Sequence, residues 1–254
     1  MSGGYPDAQQ QYSQMYRKIW FSNYMSALMD RDIHDLANID HPVGLHYLLL
    51  MLSARSGTLF NQSDVSRACA IPNSTAIRYM TMLEDLHLVW RLPAWSGDLG
   101  RRVIKMPKVH VADSGLACHL CGADEERLTG DPAQMARLLE TFVANELRKQ
   151  ATWTGHPVSL FHFSHRGGEV DMVLEDTAGR VVGVDVKLSG TVVDRDARGL
   201  AVLRDALGDR FVRGVILYGG QQTLPFGDRL LAAPFGTLLP PARPGTEVTP
   251  SGAA

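Results

Sequence analysis

Glu169-Val170-Asp171-Met172-Val173-Leu174-Glu175, followed after residues 176–180 by Val181-Val182-Gly183-Val184-Asp185-Val186-Lys187-Leu188, is the stretch on which the fold turns. Both runs are rich in β-branched residues, and side chains alternate from face to face along a strand. Glu169 and Asp171 therefore share one face of the first strand, and Asp185 and Lys187 share one face of the second. Val170, Met172, Val184, Val186 and Leu188 fall on the opposite faces. Charges on otherwise apolar strands are costly unless they meet a partner. A hairpin of the two strands brings Asp171 near Asp185. Two carboxylates that close repel unless a divalent cation lies between them, and Mg²⁺ takes such hard oxygen ligands while keeping several waters. Lys187 can orient an attacking water or stabilise charge developing on a phosphate.

The helix ahead of these strands adds further acids. Pro132 suits a first helical position, and the run extends to about Gln150. At 100° per residue, Met135, Leu138, Leu139, Phe142, Val143 and Leu147 form one apolar arc, with Glu146 near its middle and Glu140 at its edge. Packing this helix on the sheet can deliver Glu140 to the metal site, and the wheel equally allows Glu146 to be the inward acid. Other strand candidates are Val158–Phe163, Val212–Tyr218 and Arg229–Ala233, with a helix over Asp194–Leu207. The fold class is thus α/β, a mixed sheet flanked by helices.

Upstream, residues 10–54 read as helical from the recurrence of Met15, Ile19, Trp20, Leu28, Met29, Ile33 and Leu36, with a break at Asp40 and Pro42. Residues 56–112 read as a winged helix-turn-helix. Ser63 caps a helix over Asp64–Ala70, Ile71-Pro72-Asn73 turns the chain, and Ser74 caps a second helix over Thr75–His87. Ile77, Met80, Met82, Leu83 and Leu86 are its inward positions. Strands at Leu88–Leu92 and Arg102–Val111 enclose a turn-rich loop. This wing carries Arg91, Arg101, Arg102, Lys105 and Lys108 against Asp98 alone, a pattern suited to phosphate contact. Glu84 and Asp85 make the second helix a poor recognition face, so a protein-contact role competes with DNA binding. Cys118-His119-Leu120-Cys121 has too few companions for a zinc site and reads as core packing; His162 and His165 read as surface histidines flanking the acidic strand.

Forty-five per cent of the 254 residues are apolar and 20% charged, which excludes wholesale disorder. A net charge of −2 confines any nucleic-acid argument to a local patch such as the wing. No apolar run is long enough to span a bilayer, no signal peptide is seen, and three cysteines make no disulfide framework, so a cytoplasmic protein without membrane contact is expected. The tail from Pro240, rich in Pro, Gly, Ser, Thr and Ala, reads as disordered.

The order helix with Glu140, strand, Glu169-Val170-Asp171, Asp185-Val186-Lys187, helix, strand resembles the PD-(D/E)xK nuclease-like core of restriction endonucleases and junction resolvases. The resemblance implies that Asp171, Asp185 and Glu140 bind Mg²⁺ and that Lys187 assists phosphodiester hydrolysis, with Glu169 and Glu146 as secondary candidates. A broader resemblance runs from Gly3 to about Pro234. It is carried by Gly3-Gly4-Tyr5-Pro6, Arg31-Asp32-Ile33, Ala54-Arg55-Ser56-Gly57, Leu83-Glu84 and Lys105-Met106-Pro107-Lys108. It continues through Asp113-Ser114-Gly115-Leu116, Leu139-Glu140-Thr141-Phe142-Val143, Glu146-Leu147, Gly168-Glu169-Val170-Asp171, Asp185-Val186-Lys187 and Tyr218-Gly219-Gly220. In these the chain resembles the C-terminal part of prokaryotic AAA-type ATPases that carry a domain of unknown function. Two departures stand out: Asp185 occupies a position where that group usually has Glu, and no Gly-x-x-x-x-Gly-Lys-Ser/Thr loop is found, so no ATP site is expected.

The expected organisation is a helical segment over 1–54 that adjoins a missing ATPase domain, a winged helix-turn-helix over 55–112, a nuclease-like domain over 113–235 and a disordered tail over 236–254. Two functions follow. One is a Mg²⁺-dependent DNA-cleaving module. The other is a non-catalytic module that contacts an ATPase or other protein partner and keeps a vestigial site. Substrate specificity and oligomeric state are not encoded legibly.

Overall fold

The computed structural model describes residues 3–29, 42–97, 105–165 and 167–239. Arg101 and Arg102, the stretch Arg31–Ile33 and the tail from residue 240 lie outside them.

The chain begins with a short turn of helix, α1 (Pro6–Gln9), and α2 (Gln14–Ala27). Ser13 caps α2, its hydroxyl accepting from Tyr16 N–H. Phe21 and Met25, followed by Leu28, face the core, whereas Met15 and Ile19, expected there, are exposed. The inward stripe is displaced because Tyr5 packs its ring on Trp20, Phe21 and Tyr24 and covers that side of the helix. Then follow α3 (Pro42–Ala54), β1 (Thr58–Leu59), α4 (Gln62–Ala68), α5 (Asn73–Asp85), β2 (Val89–Leu92) and β3 (Lys108–Val111). The three strands pair antiparallel in the order β1-β3-β2, so helix, strand, helix, helix and a closing hairpin follow the winged-helix layout.

Local details of this unit differ from expectation. Asn61 rather than Ser63 caps α4, because its carboxamide oxygen accepts from both Ser63 and Asp64 N–H. Helix α5 starts directly after Pro72, with no side-chain cap from Ser74. Ile77 is exposed, and Ala76, Tyr79, Met80 and Leu83 fill the interior instead.

The second half opens with α6 (Ser114–Leu120), α7 (Glu125–Gly130) and the long α8 (Pro132–Ala151), which Pro132 starts and Asp131 caps. Cys118 is buried in the core, and His119 stacks on Phe21 at 5.5 Å. Strands β4 (Val158–His165), β5 (Gly168–Asp176) and β6 (Val181–Lys187) form an antiparallel meander. Helix α9 (Arg198–Leu207), led by a 3₁₀ turn at Asp194–Ala197, crosses over to β7 (Phe211–Tyr218), parallel to β6. A two-residue strand β8 (Leu224–Pro225), not foreseen, edges β9 (Leu230–Pro234). The sheet order is β4-β5-β6-β7-β9-β8.

Helices cover both faces of this sheet. On one, Leu200 and Leu203 of α9 pack on Val170, Val173, Val181 and Ile216. On the other, Val143 and Ala144 of α8 pack on Met172, Val184 and Leu217, together with Trp90 and Leu92 of β2. One core thus joins the two halves of the chain. Helix α9 sits so close to β5 that a Cβ on Gly199 would stand 1.8 Å from Glu169 O. Part of the expected tail is placed: Phe235–Leu238 form a 3₁₀ turn, and Gln150 Nε2 donates to Leu238 O at 2.8 Å. Among the described residues no helix is long and apolar enough to cross a membrane.

Candidate functional site

Strands β5 and β6 pair as far as Met172 opposite Val184 and then part. The pairing of β5 with β4 also slips here: two residues of β4, Phe161 to Phe163, span three of β5, Val173 to Val170. Such a bulge re-aims side chains next to it. The Asp171 side chain fills the gap left by the parting strands. Its Oδ2 accepts from Val186 N–H at 3.0 Å, and Asp185 Oδ1 accepts from Asp171 N–H at 3.3 Å. The two carboxyl groups are hydrogen-bonding neighbours in a buried setting.

Their environments separate them. Burial works against charge on Asp171, but Lys108, Val186 N–H and Lys187 overcome it and hold the carboxyl below its usual range. Burial and then the charge of Asp171 drive Asp185 well above that range. Two adjacent carboxyls with opposite shifts differ in their hold on a proton, Asp185 keeping it more firmly than Asp171.

Glu140 arrives from the middle of α8. Lys108, the first residue of β3, places its ammonium 2.6 Å from Glu140 Oε1 and 3.3 Å from Asp171 Oδ1. All three side chains are largely covered, between 12% and 17% exposed. Burial opposes the ammonium, but Asp171 and Glu140 raise its pKa above that of an ordinary lysine. Burial and Asp171 push Glu140 up to about 7, against the pull of Lys108. Lys108 is therefore not on the phosphate-contacting surface of the wing. Alternation along β3 turns it, with His110, toward α8.

The surroundings hold Glu140 in place. Gly57 lies against its carboxyl, where a Cβ would approach to 3.4 Å, and its φ of +84° is the left-handed region that disfavours any side chain. Ser56 Oγ hydrogen-bonds Thr141 Oγ1 at 2.8 Å and accepts from Val111 N–H at 3.0 Å. His110, fully buried, stacks on Trp90 at 5.0 Å, and its Nε2 has no hydrogen-bond partner among the described residues. Burial depresses the His110 pKa to about 3 and the His162 pKa to about 4. His162, expected at the surface, is 2% exposed. It clasps the wing base: its Nε2 pairs with Met106 O at 3.1 Å, its N–H donates to Pro93 O at 2.9 Å, and its carbonyl accepts from Trp95 N–H at 2.6 Å.

On the far side of Asp185 and Lys187 a cavity of about 420 Å³ opens, lined also by Glu169, Arg195 and Arg198. These two arginines carried no sequence signal beyond lying near the start of the α9 region. Glu169 accepts from the Ser164 hydroxyl at 3.3 Å. Glu146 is not part of the cluster: it pairs with Lys149 on its own helix. Arg91, expected to contact nucleic acid, is held by both Glu84 carboxylate oxygens, with Nε to Oε1 at 2.8 Å. Lys105 is exposed. Among the described residues, no three His, Cys, Asp or Glu side chains converge as a ready metal cage. Glu140, expected as a third ligand, has Lys108 between it and Asp171.

Residues 1–127 match a family described as Domain of unknown function (DUF8612), and residues 135–238 match a second, Domain of unknown function (DUF4143). Uncharacterized proteins of Mycobacterium bovis and Mycobacterium tuberculosis are each 26% identical over 242 residues, covering 94% of this chain and 52% of the relative. The chain thus spans about half the length of the curated relatives it matches. Crystal structures of two mutants of MepR from a multidrug-resistant S. aureus clinical isolate align over 56% and 57% of this chain and 91% and 100% of theirs. They are 17% and 18% identical to it, with a TM-score of 0.25 in each case.

Proposed function

The chain belongs to the family described as Domain of unknown function (DUF8612), and we propose, from the site in its second half, that it is a Mg²⁺-dependent nuclease-like module acting on DNA. The observation that carries the reading is the meeting of the Asp171 and Asp185 carboxyls where β5 and β6 part, with Lys187 one position beyond Val186. The order of α8, three antiparallel strands, α9 and a parallel strand accords with the PD-(D/E)xK resemblance.

The donor set suits the ion. Two carboxyls forced together carry hard oxygens, and Mg²⁺ is commonly held by one or two carboxylates plus water and substrate phosphate. Asp171 and Asp185 would hold it. When bound, it would neutralise charge on a phosphodiester and make bound water more acidic. Arg195 and Arg198 line the cavity and can grip a phosphate, since guanidinium groups match phosphate oxygens in pairs. Lys187, in the same cavity, stabilises charge that develops there. Lys105 of the wing, with Arg101 and Arg102, supplies contact to the DNA backbone.

The test is cleavage of plasmid and junction DNA by the full chain with Mg²⁺. Wild type cuts, Asp185→Ala and Lys187→Ala lose at least about a hundredfold, the scale of deleting one transition-state-stabilising group. Equal cutting by wild type and variants points to a contaminant and removes the reading.

One observation favours a second reading. Lys108 already pairs with both Glu140 and Asp171, as in a structural ion-pair cluster with no catalytic duty. In that case the chain is an interaction module that works beside an ATPase domain. No cleavage, together with stable association with an ATPase domain of the longer relatives, supports this alternative.

A further inference from the structure

We infer that Lys108 is a built-in counter-ion that holds the Glu140–Asp171 side of the site closed and must withdraw before a divalent cation can take both carboxylates. The inference rests on the metal-binding reading above and adds its control.

The argument is geometric. The Lys108 ammonium lies 2.6 Å from Glu140 Oε1 and 3.3 Å from Asp171 Oδ1. An ion such as Mg²⁺ binds carboxylate oxygens at about 2.1 Å. Placed between the same two oxygens, it would occupy the space of the ammonium nitrogen, and the two positive charges would repel. The lysine and the shared metal are therefore alternatives. Asp185 and Lys187, by contrast, line the open cavity. A cation can enter beside Asp185, but it recruits Glu140 only by displacing Lys108.

The backbone of Lys108 is fixed in the sheet. Its backbone begins β3, paired with both β1 and β2. Just before it, Pro107 O accepts from Phe60 N–H at 2.8 Å and Met106 O contacts His162 Nε2. Withdrawal must come either from the side chain's four-carbon stem or from movement of the wing base. The first half of the chain thus holds the gate, and the second half holds the ligands.

Manganese as Mn²⁺, a spectroscopically visible stand-in for Mg²⁺, tests this on the full-length chain. Lys108→Met is expected to bind Mn²⁺ at least about tenfold more tightly than wild type, since lifting a neighbouring positive charge by even 1.4 kcal/mol gives that factor. Lys108→Arg, which keeps the charge, should bind as weakly as wild type. A second measurement needs no variant. In wild type, saturating Mn²⁺ should raise acylation of the Lys108 amine, read by mass spectrometry, while Lys18 and Lys149 stay constant as internal references. If Lys108→Met does not fold, this labelling decides alone. Equal Mn²⁺ affinity in wild type and Lys108→Met, or unchanged Lys108 labelling with Mn²⁺ bound, overturns the gate and leaves the metal reading standing. No Mn²⁺ uptake by any form overturns both.

Discussion

Glu140 and Glu146 stand on one helix, both side chains 16% exposed, and their fates are unlike. Glu146 pairs with Lys149, three residues along the same helix, and that lysine is 49% exposed. Glu140 pairs with a lysine from β3 that is 12% exposed and that also holds Asp171 of β5. Burial of the acid is therefore not what distinguishes them. The difference is the origin of the cation. A partner from the same helix trims local charge and ties nothing together. A partner from a distant strand becomes a joint, and removing it strands charges that water reaches only in part.

The largest effect expected from this contrast comes from cutting each pair at its lysine. Lys108→Met leaves two covered carboxylates without their cation and should cost about 3–5 kcal/mol in urea unfolding without metal. Lys149→Met should cost less than about 1 kcal/mol, as for exposed pairs on one helix. Similar losses in the two variants would break the comparison.

The response to acid comes next. Unfolding frees His162 to take a proton below its ordinary value of 6.5, whereas the folded chain resists until about 4. The unfolded state binds more protons in that window, so this histidine withdraws stability as pH falls through it. Glu140, pushed up to about 7, works the opposite way between 7 and its ordinary 4.5, because there the folded state is the better proton acceptor. His162→Gln, measured beside wild type from pH 6.5 to 4, should lose less stability over that range, the difference reaching on the order of 3 kcal/mol. A parallel pair of curves would show that His162 does not carry the acid response.

A smaller effect sharpens the contrast along α8. Asn145 accepts from Trp90 Nε1–H and donates to Val111 O, both at 2.9 Å and both across the junction. Asn145→Ala should cost about 1–3 kcal/mol through the buried groups left unmatched. Gln150→Ala, which removes one half-buried bond to Leu238 O, should cost about 1 kcal/mol or less. Equal melting temperatures for the two would mean that the junction contributes no more than the helix end.

Much of the second half was legible because its signals are local. Pro132 and the apolar arc mark α8, and alternating apolar runs mark β4, β5, β6 and β7 within a few residues. Asp171, Asp185 and Lys187 are found together because they stand on neighbouring strands. Lys108 reads as a wing cation because its charge in a basic stretch outweighs its position on the strand. The usable signal was there: Lys108-Val109-His110-Val111 alternates polar and apolar residues, and such a strand turns one polar pair inward whenever both faces are covered. The choice between Glu140 and Glu146 was beyond the wheel, since both fall within reach of the apolar arc and only the packing of β3 separates them. Arg195 and Arg198 carry no motif, because a crossover geometry brings them to the cavity. In the first half, Ile19 and Ile77 misled because a hydrophobic residue on a small helical unit need not be inside.

The bonds across the junction bear on how the molecule can be taken apart. The match to one family stops at residue 127 and the match to the other starts at 135, a boundary that invites excision of the sheet as an independent piece. Such a fragment would begin without Lys108, Trp90 and Pro93. It would expose the side of α8 that Trp90 and Leu92 cover, leave Asn145 unsatisfied and take the Lys108 ammonium from Glu140 and Asp171. Insolubility or inertness of that fragment would report on the cut and not on the chemistry of the whole.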